Sequence, residues 1–323
     1  MKQKILPLAI ASLAACGATH AEITPYGKLN VSINNDSIES ATGTNNEVTQ
    51  NSNASRLGFK GSFAINDALQ AIYKMEYEVF VDDGDDGTGN NFKQRNIYAG
   101  LQGNWGTAII GNFDTPLKVI GKLADQFNDY HMADIKNYAE GENREENLVQ
   151  YTTPSYAGFT GAVAIQQGET AQRDSLADGV SAVIQYQANG LTVAVAADSE
   201  VDKNAVNSVR DTVRAVASYS FGIYEVAALW QDSELSNVAA DDAQDTVIVS
   251  GAVKVADNIK IKAQAGRTSE DNTKIDITQI ALGVDFQLSK SAKWYLYAAN
   301  LETDAPAQTL DADTVGAGFE VKF

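Results

Sequence analysis

The chain alternates between apolar and polar residues with a period of two, from about residue 24 to its last residue. The clearest case is DTVGAGFEVKF at 313 to 323, where every second residue from Val315 to Phe323 is apolar. Successive strand side chains point to opposite faces, so such a strand has one apolar and one polar face. The pattern predicts an all-β protein. A strand that faces a protein core and a strand that faces lipid would show the same alternation.

The alternating segments predict about 16 strands, a number that membrane β-barrels commonly have. Alternation is weakest in the segment 93–102, where Ile97 and Leu101 break it. The segments are 24–34, 55–65, 69–79, 93–102, 105–113, 146–154, 158–167, 179–188, 191–198, 210–221, 223–231, 245–255, 258–268, 275–287, 292–302 and 313–323.

Short and long connections alternate between these strands. The short ones are rich in residues that favour tight turns, such as Asn189-Gly190 and Asp257-Asn258. An even number of strands with both chain ends on the short-turn side is the rule for membrane barrels. Longer polar loops are expected near 35–53, 80–92, 114–145, 168–177, 199–209, 232–244, 269–274 and 303–312.

Aromatic residues lie close to one of the predicted turns. Tyr219 and Phe221 precede Gly222, and Tyr224 follows it. Such clusters are typical of the interface between a membrane and water. A set of secreted β-sandwich domains is the alternative, because sandwich strands also alternate. Sandwiches offer no reason for the steady change of short and long connections or for aromatics at turns.

The first 21 residues have the features of a secretory signal peptide. Lys2 and Lys4 precede an apolar run, and Thr19-His20-Ala21 is a small-residue cleavage site. The run is too short for a membrane-spanning helix, which needs about 20 apolar residues. We therefore expect a signal peptide at 1–21 and a mature chain at 22–323. An alternative is lipoprotein processing at Cys16, which ends a Leu-Ala-Ala-Cys stretch.

The mature chain is strongly acidic. The full sequence has 24 basic and 42 acidic side chains, and removing Lys2 and Lys4 with the signal peptide leaves a net charge of −20. Such a charge argues against a nucleic-acid partner. The mature chain would have no cysteine, so disulfides and thiol nucleophiles are excluded.

Nothing in the sequence favours an enzyme or a cofactor. His131 is the one histidine of the mature chain, and no G-x-S-x-G or H-E-x-x-H motif is present. A barrel enzyme of the outer membrane is therefore a weak second hypothesis. We expect no catalytic residue, no bound metal and no cofactor.

The stretch VDDGDDGTGNNF at 81–92 has the composition of a calcium-binding loop. Aligned on Asp82, an EF-hand would need an oxygen ligand at Gly84 and a glutamate at Lys93, so the motif fails at two places. A solvated surface loop is the expectation. Adventitious binding of a divalent ion that bridges lipopolysaccharide phosphates is the alternative.

Several short motifs, in this order, resemble those of the trimeric general-diffusion porins of Gram-negative outer membranes. The resemblance spans the mature chain and implies a homotrimeric transmembrane β-barrel of the outer membrane. It also implies that Phe323 is the signal read by the barrel assembly machinery, and that the second long loop latches onto a neighbouring subunit. The motifs are Tyr26-Gly27-Lys28, SRLGFKG at 55–61, QRNIYAGL at 94–101, IGNFDTPL at 110–117, Arg144, QYTTPSYAGF at 150–159 and the terminal Phe323.

The third long loop, 114–145, is the longest connection, and in porins it folds into the lumen. Long loops of this kind are usually functional or disordered. The stretch LKVIGKLADQF from Leu117 to Phe127 has weak helical spacing. A mobile surface lid is the alternative to a loop that packs in the barrel.

The resemblance implies a constriction in which basic wall residues oppose acids of this loop. The wall positions that match are Lys28, Arg56, Arg95 and Arg144, and the loop positions are Asp125 and Asp129. The acid-rich Pro-Glu-Phe-Gly stretch of many enterobacterial members is missing, which leaves Asp134 and Glu140 as further candidates. Opposed charges across a narrow aqueous gap orient dipolar solutes. Alternatively, the arginines only anchor the loop through ion pairs.

Together these features predict a porin that lets ions and small hydrophilic solutes diffuse passively through a water-filled channel. The acidic net charge favours modest cation selectivity, which the basic wall opposes. A sugar- or anion-selective porin of the same fold is the alternative. The lipid bilayer and lipopolysaccharide are the expected surroundings.

Overall fold

The structure is a computed structural model that describes residues 22–171, 173–201, 209–236 and 243–323. The expected signal peptide at 1–21 lies outside the described residues, as does the alternative lipidation site at Cys16.

Seventeen antiparallel strand segments in the described residues form one closed sheet. Strands that follow one another in the chain pair, except β2 with β3, and β1 pairs with β17 from Lys28↔Lys322 to Glu39↔Asp311, which closes the barrel. The strands are β1 (Glu22–Ser40), β2 (Gly43–Ser52), β3 (Arg56–Asn66), β4 (Leu69–Val79), β5 (Phe92–Gly103), β6 (Gly106–Asp114), β7 (Arg144–Thr152), β8 (Phe159–Gln166), β9 (Gly179–Ala188), β10 (Leu191–Ser199), β11 (Arg210–Phe221), β12 (Tyr224–Leu235), β13 (Gln244–Ala256), β14 (Ile259–Glu270), β15 (Asp276–Ser289), β16 (Ala292–Ala305) and β17 (Gln308–Lys322).

These segments occupy sixteen positions in the barrel, because β2 and β3 share one. Both pair with β1, β2 with its second half and β3 with its first half. The interruption lies at 53–55, where Ala54 has a φ of +49°. The prediction of a 16-stranded antiparallel barrel is confirmed.

The strands have one exposed and one buried face, as their alternation predicts. In β13, Val247 and Val249 are exposed, whereas Thr246, Ile248 and Ser250 are buried. The predicted aromatic cluster is also exposed: the rings of Tyr219 and Phe221 stack with centroids 5.2 Å apart. One row of apolar side chains therefore surrounds the barrel.

Two predicted loops, 35–53 and 303–312, are mostly strand. β1 continues to Ser40 and pairs with β2, and β16 and β17 are joined by a turn between Ala305 and Gln308. The residues there are mostly polar, with only isolated apolar residues such as Ile38, Val48 and Leu310. Hydrophobic alternation reports which face is buried and not which backbone groups pair, so these extensions could not be recognised as strand.

The weakest predicted strand is present as β5 and contains a bulge. Its pairing with β4 shifts between Met75↔Ile97 and Tyr77↔Gln94. A bulge adds a residue to one strand and changes the faces of the side chains beyond it. This accounts for the broken alternation at Ile97.

Residues 115–143 join β6 to β7 and contain two short helical segments. The helix α1 (Pro116–Gly121) begins after Thr115, whose hydroxyl accepts a hydrogen bond from Lys118 N at 3.2 Å. A 3₁₀ turn (Ile135–Asn137) begins after Asp134, whose carboxylate caps it in the same way. The predicted helical stretch from Leu117 to Phe127 is therefore helical only in its first part. Nowhere in the described ranges is a helix long and apolar enough to cross a bilayer.

The last residue pairs with the first strand. Phe323 N donates to Gly27 O at 3.1 Å, and Gly27 N donates to Phe323 O at 2.8 Å. A Cβ atom at residue 27 would lie 2.3 Å from the Phe323 ring, so any larger residue there would displace the ring. The terminal aromatic thus extends the contact that closes the barrel.

We expect Val249→Arg to destabilise the barrel by about 2 to 4 kcal/mol, because Val249 is 58% exposed in the middle of β13 and would place a charge in lipid near the midplane. Val255→Arg is the matched control. Val255 is 53% exposed and lies at the strand end beside a bulge, where the cost is about 0 to 1 kcal/mol. Urea unfolding in lipid, followed by tryptophan fluorescence, measures both. Equal losses at the two positions would contradict a lipid-facing β13.

Candidate functional site

The segment 115–143 packs against the buried face of the sheet through apolar contacts. Leu117, Ile120 and Ile135 of the segment form one buried cluster with side chains of β10 to β13. Phe127 and Tyr130 form a second cluster with Tyr295 and Tyr297 of β16. The strand residues in the first cluster are Ala194, Ala196, Val216, Ala227, Leu229 and Ile248. This part of the buried face is apolar, whereas the alternation of the sequence predicts a polar face there.

Arg214 of β11 holds both ends of the segment with one guanidinium group. Its Nη1 donates to Leu117 O at 3.3 Å and to Glu142 Oε1 at 2.7 Å, and its Nη2 donates to Glu140 O at 2.7 Å. Its Nε donates to Gln231 Oε1 at 2.7 Å. The side chain is 0% exposed, and these partners compensate the cost of burying its charge. Sequence reasoning missed Arg214 because it reads as one more polar-face residue of a strand.

The chain has glycine where the Arg214 guanidinium meets the segment. A Cβ atom at Gly121 would lie 2.4 Å from Arg214 Nη1 and 2.8 Å from Glu142 Oε1. Any larger residue would push the guanidinium away from its partners. The end of α1 is therefore shaped to receive Arg214.

Lys262 of β14 holds the middle of the segment. Its Nζ donates to Gln126 O at 2.9 Å and lies 3.3 Å from Asp285 Oδ1. It also lies 3.8 Å from the centre of the Tyr130 ring, in a cation–π geometry. Tyr130 in turn donates its hydroxyl to Asp285 Oδ1 at 3.0 Å. The segment is thus tied to the sheet at its ends and at its middle.

Lys28 and Arg56, two of the predicted wall residues, meet the predicted loop acid Asp129. Lys28 Nζ lies 2.5 Å and Arg56 Nη2 lies 2.8 Å from Asp129 Oδ2. Burial acts to raise the pKa of Asp129, but the charges of Lys28 and Arg56 outweigh burial and hold this pKa below its ordinary value. The Asp129 carboxylate therefore lies between two cations.

Arg95 and Arg144 also line the site, but their partners are acids of the strands. Arg95 Nε lies 3.1 Å from Glu76 Oε1, and its Nη1 lies 2.8 Å from Glu78 Oε2. Arg144 Nη2 forms an ion pair of 2.8 Å with Asp114 Oδ1. Both arginines are adjacent to bulges, where strand register shifts. Sequence reasoning missed the three acids because register decides which polar residues are neighbours.

Asp125, the other predicted loop acid, does not contact the basic wall. Its carboxylate accepts a hydrogen bond from Phe127 N at 3.1 Å, and among the described residues it has no ion-pair partner. Burial, followed by the charges of Asp134 and Glu142, raises the pKa of Asp125. The Asp125 carboxylate therefore closes a local turn of the loop, and its role as an acid of the constriction stays a prediction.

The two further acidic candidates also have other roles. Asp134 is buried and accepts hydrogen bonds from Asp129 N at 2.7 Å and Lys136 N at 2.9 Å, so it shapes the backbone that presents Asp129. The side chain of Glu140 is exposed, and its carbonyl oxygen is an Arg214 partner. Neither pairs with a predicted wall residue.

The charged residues surround a cavity of about 720 Å³ between the segment and strands β3 to β7. Its lining contains eight basic and six acidic side chains, so its formal charge is positive although the chain is acidic. The basic residues are Arg56, Lys74, Lys93, Arg95, Lys118, Lys122, Lys136 and Arg144, and the acidic ones are Glu76, Glu78, Asp114, Asp129, Asp134 and Glu142.

His131 and the acidic loop at 81–92 have structural contacts. His131, which lies within residues 115–143, has its Nε2 atom 3.4 Å from Asp36 Oδ2 of β1. In the acidic loop, the Asp86 carboxylate accepts hydrogen bonds from Thr88 and Asn90, which closes a local turn. Across the described parts of the chain, no group of three or more His, Cys, Asp or Glu residues is placed to hold a metal ion.

Replacing Arg214 with methionine is expected to release residues 115–143 from the sheet while the barrel stays folded. Loss of one partner of a buried ion pair costs about 3 to 5 kcal/mol, because Glu142 would remain buried without its cation. Trypsin should then cleave after Lys118, Lys122 or Lys136 at least about tenfold faster.

Arg267→Met is the matched control for this variant. Its side chain is 64% exposed and pairs only at the surface with Asp276, so the cleavage rate should not change. Unchanged cleavage in the Arg214 variant would show that the segment is held without this residue.

Comparison with known proteins agrees with this architecture. A family model described as Gram-negative porin matches residues 8–306. Outer membrane porin protein 32 of Delftia acidovorans is 27% identical over 338 residues, which cover 98% of this chain and 95% of that protein. The major outer membrane protein P.IB of Neisseria meningitidis serogroup B is 24% identical over the full length of both chains.

Among solved structures, an anion-selective porin from Comamonas acidovorans has the same fold. The TM-score is 0.80 at 22% identity, and the match covers 94% of this chain and 100% of the other. The related proteins are channels and not enzymes. The chain belongs to the Gram-negative porin family and is a β-barrel of the outer membrane, of the kind that serves passive diffusion across that membrane.

Proposed function

We propose that residues 115–143 lie inside the barrel and form the constriction of a water-filled channel. The support is the spread of their contacts around the sheet. The segment reaches Lys28 of β1, Arg56 of β3, Arg214 of β11, Gln264 of β14 and Gln279 of β15. One segment contacts so many positions of a closed sheet only from the inside. Solutes then pass through the cavity that the segment leaves open beside β3 to β7.

We further propose that the channel prefers small anions. The observation that carries this is the cavity lining, with eight basic and six acidic side chains. Charges at the narrowest part of a pore act on an ion at short range and without full solvent screening. The anion-selective porin from Comamonas acidovorans, which shares the fold, adds support. Modest cation selectivity, which the sequence analysis expected from the net charge, is the alternative.

The surroundings of the channel are part of the same proposal. We propose that the protein is a homotrimer surrounded by lipids and lipopolysaccharide. Phe323 would be the residue that the assembly machinery recognises. Phe323 is 67% exposed, so its side chain is accessible. The loop at 81–92 is tied to its own barrel at Asp82, which accepts from Ser52 N at 2.6 Å, and most of its other residues are exposed and free to contact a neighbour.

Planar-bilayer recording of the folded protein in a potassium chloride gradient tests the proposed channel. We expect discrete conductance steps, in groups of three for a trimer, and a reversal potential of the sign that anion preference gives. A reversal potential of the opposite sign would favour the cation-selective alternative. Well-folded protein without steps would contradict the channel itself.

Two substitutions at one ion pair should shift the reversal potential in opposite directions. Arg56→Ala removes a cation and should raise cation preference, whereas Asp129→Asn removes an anion and should raise anion preference. Two unit charges about 4 Å apart have an interaction energy of about 1 kcal/mol in water. Each permeability ratio should therefore change by up to roughly fivefold. Shifts in the same direction would indicate that both variants displace the loop, in which case charge is not the cause.

A further inference from the structure

A second cavity, of about 420 Å³, adjoins the charged one and has a partly apolar wall. It lies between α1 and strands β5 to β9. Its apolar lining includes Tyr98, Ile109, Phe113, Val119, Ile120 and Val183. Val119 is 51% exposed and points into this space from α1. The lumen-facing side of a porin barrel is ordinarily polar, so this apolar wall needs an explanation.

The two cavities share a charged border. Lys74, Asn96, Asp114 and Lys122 line both. The Asp114 carboxylate has three cations around it: Arg144 at 2.8 Å, Lys122 at 3.0 Å and Lys118 at 3.7 Å. One acid cannot neutralise three cations, so positive charge remains at the edge of the apolar wall. Lys122 is the most exposed of the three, so it is the one that a ligand in the cavity can approach while its Nζ also meets Asp114.

We infer that the second cavity is a binding subsite for small monocarboxylates with an apolar body, such as aromatic acids. The carboxylate would lie at the border beside Lys122, and the apolar body would contact Val119 and Ile109. An inorganic anion would interact with the positive charge at the border but would leave the apolar wall exposed to water. A sugar would need an open ring to stack on, but Tyr98 already meets Phe113 edge to face, with centroids 6.0 Å apart. This inference rests on the proposed channel, because the ligand reaches the subsite through the lumen.

Block of the chloride current by benzoate tests the subsite. Recordings at neutral pH, where benzoate is charged, should show a saturable decrease of current as benzoate is added. Gluconate is the matched probe, because it has a carboxylate on a hydrophilic body and should not give saturable block at the same concentrations. Bilayers without protein control for partition of benzoate into lipid.

Val119→Ser should raise the half-blocking concentration of benzoate by about fourfold, the factor for one methyl-sized apolar contact. Its exposed position keeps the risk of misfolding low, and its potassium chloride conductance is measured first. Lys122→Gln should also weaken the block, because it removes the cation that meets the carboxylate. Leu176→Ser is the control: Leu176 is 72% exposed in another loop, and its loss should leave the block unchanged.

The outcomes separate this inference from the proposed channel. Absence of conductance steps in potassium chloride would overturn the channel. Normal steps with equal effects of benzoate and gluconate would overturn the subsite alone. Benzoate block that Val119→Ser and Lys122→Gln both leave unchanged would place the aromatic acid elsewhere in the lumen and would also overturn the subsite.

Discussion

The structure depends on the closure of one antiparallel sheet by the pairing of β1 with β17. In a bilayer no water is available for unpaired backbone groups, so an open sheet edge would carry a large cost. The pairing from Lys28↔Lys322 to Glu39↔Asp311 removes that edge, and Phe323 extends it to Gly27. Once the sheet is closed, every strand has one face toward the surroundings and one toward the interior. The alternation of the sequence is a direct consequence.

The interior face of the closed sheet differs from one side of the barrel to the other. Strands β10 to β16 have apolar, small or aromatic residues where residues 115–143 pack, and they bury Arg214 and Lys262 as hydrogen-bond donors to the segment. Strands β3 to β7 instead carry charged residues that remain in contact with a cavity. A loop held against one side of a barrel leaves space on the other. The asymmetry of the wall therefore determines where the charged cavity lies.

The fold could be predicted in detail because alternation and turn residues are local features. Fifteen connections and all sixteen strand positions follow from them, although the strand extension from 35 to 40 and its partner β2 do not, since their residues are mostly polar on both faces. The candidate site could be predicted only in part. Lys28 and Arg56 follow from the resemblance and from period-two phasing, and Asp129 was identified with them.

The rest of the site depends on information that a single sequence does not contain. Glu76, Glu78 and Asp114 are neighbours of the basic residues only through the register of β4 to β7, which two bulges shift. Arg214 and Lys262 look like water-facing residues until the loop covers them. Asp125 and Asp129 are four positions apart in the same loop, and the sequence does not show that Asp129 has a left-handed backbone, with φ of +66°, or that it is the one that meets Lys28 and Arg56.

The sign of the charge that a solute meets need not follow the net charge of the chain. At physiological ionic strength the screening length is about 8 Å, so exposed acids beyond that distance have little effect on an ion in the constriction. Glu39, Glu47 and Asp83 are exposed acids of the strand extensions and loops. In the cavity, three cations share Asp114 and two share Asp129, within 4 Å of each carboxylate. In the proposed channel an anion would therefore be close to uncompensated positive charge, so an acidic protein can have a basic passage.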